Sequence, residues 1–138
     1  MASMTAKQYL SRAWAIDARI DSLMETKRNL YDRLVNTTVN YNNDGTQATA
    51  DPHKFDSLAV IEDEIDRMID QMITIKTETL AVIYKLNDWK LCEVMKRRYI
   101  DMQTFEQIAY NMGYGWRHVM RLHKKGLQEI ERLINERL

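Results

Sequence analysis

Six residues that follow one glycine-bounded turn carry the clearest chemistry in the chain: Trp116, Arg117, His118 and Arg121, then Lys124 and Lys125. On a helix, side chains three and four apart share a face, so turning Val119 and Leu122 inward turns these six outward. No acidic residue interrupts that stretch between Trp116 and Gln128. A planar guanidinium on such a face matches the O6 and N7 acceptors of guanine in the DNA major groove, which makes Arg117 and Arg121 candidates for reading base edges. His118 is a candidate donor to a base or a phosphate. Trp116 either stacks on a base or sugar or covers the apolar residues beneath it. Lys124 and Lys125 suit phosphates. Arg97 and Arg98 on the preceding helix, and the hydroxyl of Thr104, are candidates for the same role.

Such a face works only if a frame presents it, and the flanking spacing is that of a helix-turn-helix. Ala109 supplies the small residue where two helices cross closely, and Gly113, four positions on, tolerates the positive φ of the turn. Ile108, Met112, Val119 and Leu122 supply a small core. Thr104 is a natural N-cap, with Glu106 and Gln107 suited to the first turn. Three short helices are expected: Lys90 to about Ile100, Thr104 to Met112, and Trp116 to near Leu138.

Upstream, apolar residues at Tyr9, Ala13, Ile16, Ile20, Leu23, Leu30 and Leu34 alternate steps of four and three, with Lys27 in the one slot that is not apolar. This is a coiled-coil seam. It predicts one helix from Ala6 to about Val35, roughly 45 Å long, capped by Thr5 or Ser3. Residues 36–52, rich in Asn and Thr and ending in Asp51-Pro52, predict a loop. A second helix, about 55–87, repeats the seam through Leu58, Ile61, Ile65, Met68, Met72, Ile75, Thr79, Val82 and Leu86. Ile69, Ile73, Leu80 and Ile83 widen its stripe beyond what one neighbour covers. The expected fold is all-α, a long antiparallel coiled-coil hairpin (1–88) followed by a three-helix DNA-binding head (89–138). The surplus stripe would contact the C-terminal domain or a second chain; a homodimer is the favoured reading, and packing within one chain is the other.

Composition narrows the classes. Four glycines and one proline in 138 residues leave little material for a turn-rich β fold. Net charge is zero, but from Lys90 onward ten basic residues face six acidic ones, a basic end on an acidic body. Cys92 is the only cysteine, so no intramolecular disulfide forms and a reducing cytoplasm is the natural setting. No stretch has the length of a membrane span. His118 and His123, five apart, do not stack on one helical face, and no catalytic triad or phosphate-cradling loop is present. The reading is of a protein that is not an enzyme, with no cofactor and no metal, whose partner is double-stranded DNA.

The residues Arg97-Arg98-Tyr99-Ile100-Asp101-Met102-Gln103-Thr104-Phe105-Glu106-Gln107-Ile108-Ala109, then Met112-Gly113-Tyr114, Arg117-His118-Val119 and Arg121-Leu122-His123, resemble bacterial sigma factor region 4. They resemble more closely the small region-4-like regulators of phages and prophages of Gram-positive bacteria, including ArpU-type late-transcription regulators. The opening Met4-Thr5-Ala6-Lys7-Gln8-Tyr9-Leu10 is similar to the start of those proteins, so that all but residues 36–52 takes part in the likeness. The resemblance implies promoter-proximal DNA binding and control of phage genes, with Arg117, His118 and Arg121 as contacts. Gly115 and Trp116 stand where that family more often has Ser or another small polar residue. Gly126 stands where Ala is commoner, and either permits close packing or marks a bend. Two other roles compete: a module docking on RNA polymerase or another host protein, and a phage DNA-packaging component. The latter usually places its DNA-binding head first, the reverse of the order here.

Overall fold

Six helices make up the computed structural model, which describes residues 4–43, 53 and 55–136. They are α1 (Ala6–Leu10), α2 (Arg12–Asn43), α3 (Asp56–Ile83), α4 (Trp89–Tyr99), α5 (Phe105–Met112) and α6 (Trp116–Glu136). The fold is all-α, with no strand among the described residues. No helix among them is long and apolar enough to cross a membrane.

The helix expected from Ala6 to Val35 differs at both ends. Thr5 caps it as expected, its side chain accepting from the Gln8 amide while the Gln8 side chain accepts from Thr5 N–H. At Ser11, however, the helix breaks. Arg12 Nε donates to the Tyr9 carbonyl at 2.9 Å, filling a valence left open by the break. At the far end α2 runs to Asn43, so residues 36–43 are helical and not loop. No Gly or Pro stands between Ser11 and Gly45, and adding residues to an established helix costs little even when they face no partner. The rest of the expected loop, 44–52, lies outside the described residues. In contrast, α3 stops at Ile83, earlier than the expected 87. There Lys85 and Leu86 close three-residue turns onto Val82 and Ile83, and Cys92 Sγ lies 3.3 Å and 3.4 Å from the Ile83 and Leu86 carbonyl oxygens. Burial, then the Asp88 carboxylate, pushes the Cys92 thiol up, which suits a packing role.

The chain gathers into two compact units, one of residues 16–71 and the other of 1–15 with 72–138. The expected boundary at 88 falls inside the second of these units. The reason is apolar: Ala6, Leu10, Val82, Ile83 and Leu86 belong to one core with Leu91, Val94, Met95, Tyr99, Ile108, Val119 and Ile130. The polar Thr79 is also buried in this unit, its hydroxyl donating to the Ile75 carbonyl at 2.7 Å with Arg12 close by at 3.5 Å. In the 16–71 unit the buried apolar residues are Ile16, Ile20, Leu58, Ile65 and Met68. Lys27, the polar slot of the first seam, pairs with Glu62 of α3 at 3.1 Å.

Gly126 is explained by closeness. A Cβ there would meet Sδ of the buried Met95 at 2.7 Å and its Cγ at 2.9 Å. Met95 is fully buried, so it or the helix must shift to admit the methyl. Gly126→Ala gains up to about 1 kcal/mol in helix propensity but overpacks the α4–α6 contact by about 2 kcal/mol. The net expected result is a loss of about 1 kcal/mol, read from the shift in denaturation midpoint at unchanged m-value.

Candidate nucleic-acid interface

Each join of the α4–α5–α6 segment is locally satisfied. Thr104 accepts from the Gln107 amide at 3.1 Å while Gln107 Oε1 accepts from Thr104 N–H at 2.8 Å, a complete capping box. At the other end of α5, Gly113 is left-handed (φ 70) and caps the helix; Tyr114 N–H donates to Ala109 O at 2.9 Å. Ile108, Ala109, Val119 and Leu122 are buried, as the spacing required, and Met112 packs against them. The α4–α5 turn carries Met102 at φ 58, a conformation costly for a side-chain-bearing residue. Arg98 Nη1 donates to Gln103 O at 3.1 Å and Gln103 N–H to Arg97 O at 2.9 Å, which holds that turn.

On α6 the buried residues Val119, Leu122, His123, Gly126 and Ile130 define one face. Arg117, Arg121, Lys124 and Lys125 are exposed on the other, and no described carboxylate lies within ion-pairing distance of any of the four. Trp116 is 52% exposed, at the border between the faces. His118 is half-buried, its ring packed edge-on against Tyr114 with centroids 4.8 Å apart. The structure therefore brings Trp116, Arg117, His118, Arg121, Lys124 and Lys125 together on one helix. Thr104 stands exposed at the head of α5, its oxygen engaged by the cap and its hydrogen free to donate.

The two α4 candidates are placed otherwise. Arg97 is half-buried with Nε 2.8 Å from Glu93 Oε1, so its charge is already met. The Arg98 guanidinium is half-buried: its Cζ sits 4.4 Å from the Trp14 ring centroid and 4.1 Å from that of Phe105. Two aromatic faces and the Gln103 carbonyl therefore already engage this phosphate candidate. The rings close a circuit around it. Trp14 stacks on Tyr99 (5.6 Å), Tyr99 on His123 (5.7 Å), and Phe105 meets His123 edge-on (4.9 Å). Tyr99 OH and His123 Nε2 share a hydrogen bond of 2.6 Å.

His123 is the main residue that sequence reasoning missed. It is 8% exposed, and burial, with Arg98 and Lys7 adding positive charge, pushes its pKa from 6.5 to about 4. The ring is neutral at physiological pH. Burial likewise raises the Tyr99 phenol to about 12. The signal was available: His123 falls four residues after Val119 and seven before Ile130, on the apolar side of α6. Trp14 carried no comparable signal, since it lies off the heptad seam.

Compared with known proteins, the chain matches no family model, no curated protein and no solved structure.

Proposed function

We propose that this chain is a sequence-specific, double-stranded DNA-binding transcription regulator that places α6 in the major groove. The observation that carries the reading is the outer face of α6, where Arg117, Arg121, Lys124 and Lys125 stand exposed and without a described acidic partner. Charged groups at rest on a protein surface are commonly paired or interspersed with the opposite sign; a one-sign row on a well-braced helix suits phosphates and base edges. In this reading Arg117 and Arg121 contact guanine edges, Trp116 and His118 contact bases or the flanking sugar, and Lys124, Lys125 and the Thr104 hydroxyl hold phosphates. The α2–α3 segments act as an antiparallel coiled-coil hairpin that joins two copies, so that two heads read half-sites about one helical turn apart. The resemblance to region-4-like regulators sets the biological context as phage or prophage genes in a bacterial cytoplasm.

Separating phosphate from base contacts tests the assignment. Lys124→Ala is expected to weaken binding to every duplex alike and to lower the slope of log K against log salt by about one unit. Titrations of two unrelated duplexes at several salt concentrations read both quantities. An unchanged slope removes Lys124 from the interface.

A second reading, docking of the head on RNA polymerase or another host protein, is favoured by Tyr110, which stands 89% exposed on the outer side of α5. A large aromatic in that position contributes nothing to the head's own core and suits a protein contact. Co-purification with polymerase in the absence of DNA supports that role; its loss on Tyr110→Ala places the contact.

A further inference from the structure

Outside the helix-turn-helix, the least explained surface of the molecule is on α3. Its first apolar seam is buried at Leu58, Ile65, Met68, Thr79 and Val82. Beside it runs a second stripe with the same alternating steps of three and four: Asp66, Ile69, Ile73 and Lys76. Ile69 is 36% and Ile73 55% exposed, although isoleucine is among the residues most often found buried. All four lie on one uninterrupted helix, so helical geometry alone sets them in a row.

The ends of the stripe bear opposite charges, and neither Asp66 nor Lys76 makes an ion pair among the described residues. The stripe is also symmetric in spacing about Gln71. Against a second α3 running antiparallel and centred there, Ile69 meets Ile73 of the other copy, and Asp66 meets Lys76, twice over. A parallel pairing sets Asp66 against Asp66 and Lys76 against Lys76, which like-charge repulsion disfavours.

We propose that the occupant of this stripe is a second copy of the chain, docked antiparallel through α3 with Ile69 and Ile73 at the centre and the Asp66–Lys76 pairs closing each side. The proposal rests on the homodimer reading above and adds its register.

Charge reversal tests it on the full chain. Asp66→Lys and Lys76→Asp each place like charges at both symmetric positions, and each is expected to weaken dimerisation roughly tenfold or more at low salt. The double variant Asp66→Lys/Lys76→Asp restores opposite charges and is expected to return the dissociation constant to within about threefold of the original. Sedimentation equilibrium reads the association, and circular dichroism with a thermal melt of each single variant shows that it folds. A dimer that ignores both single changes, or a double variant weaker than either single, overturns this register and leaves the dimer standing. A chain that is monomeric throughout overturns both.

Discussion

Replacing Arg117 and Arg121 together with alanine is expected to abolish discrimination between DNA sequences while leaving the fold intact. Each bidentate arginine–guanine contact is worth about 1–3 kcal/mol of preference over a wrong base, so the pair accounts for about two to four orders of magnitude in the specific-to-nonspecific ratio. Both side chains are exposed, and neither packs against the head's core. Surface changes of that kind shift stability by no more than about 0.5 kcal/mol. Lys124 and Lys125 remain, so weak salt-sensitive binding persists. Competition between a preferred duplex and a scrambled one, alongside a thermal melt, reads both effects. Retained discrimination at unchanged stability removes α6 from the recognition role.

The second large effect is on stability in acid. In the unfolded chain His123 takes up a proton near pH 6.5, whereas in the folded chain the ring stays neutral until about pH 4. Above pH 6.5 both states hold the neutral ring and nothing is lost. As pH falls from 6.5 towards 4 the unfolded state binds more protons, so stability declines, reaching a loss of about 3 kcal/mol below pH 4. Desolvation is the main cause, and the Arg98 guanidinium held between Trp14 and Phe105 adds a positive charge that opposes a second one on His123. His123→Gln keeps a hydrogen-bonding group opposite Tyr99 but cannot titrate. Its stability is expected to lack the part of the pH slope between 6.5 and 4 that His123 supplies. Urea titrations of both proteins across that range make the comparison, and a His123 imidazole resonance, assigned by its loss in His123→Gln, that titrates near 6.5 in the folded protein contradicts it.

Much of the head was legible because its signals are local. Thr104 and Gly113 act within three or four residues of themselves, and caps and left-handed turns depend on residue type more than on distant packing. The α6 faces followed from spacing alone. What spacing did not reveal is which charged residues have partners. Arg97 and Arg98 read as phosphate contacts because sequence shows a charge but not the Glu93 carboxylate or the Trp14 and Phe105 rings that engage it. Trp14 is 84 residues from Arg98 in sequence, and no local pattern joins them. The helix continuing through residues 36–43 was missed for another reason: Asn and Thr are poor helix formers individually, but without Gly or Pro they do not end a helix already under way. Gly126 was recognised as unusual, and only the position of Met95 chose between its two explanations.

The central claim is that the α6 face reads DNA sequence. Selection from a pool of random duplexes by the purified full chain, at about 0.15 M salt where purely electrostatic binding is weak, tests it most directly. The account predicts an enriched motif with two half-sites about one helical turn apart, lost when Arg117 and Arg121 are both alanine. A pool that stays unenriched contradicts it and turns the basic face of α6 into a docking surface for protein.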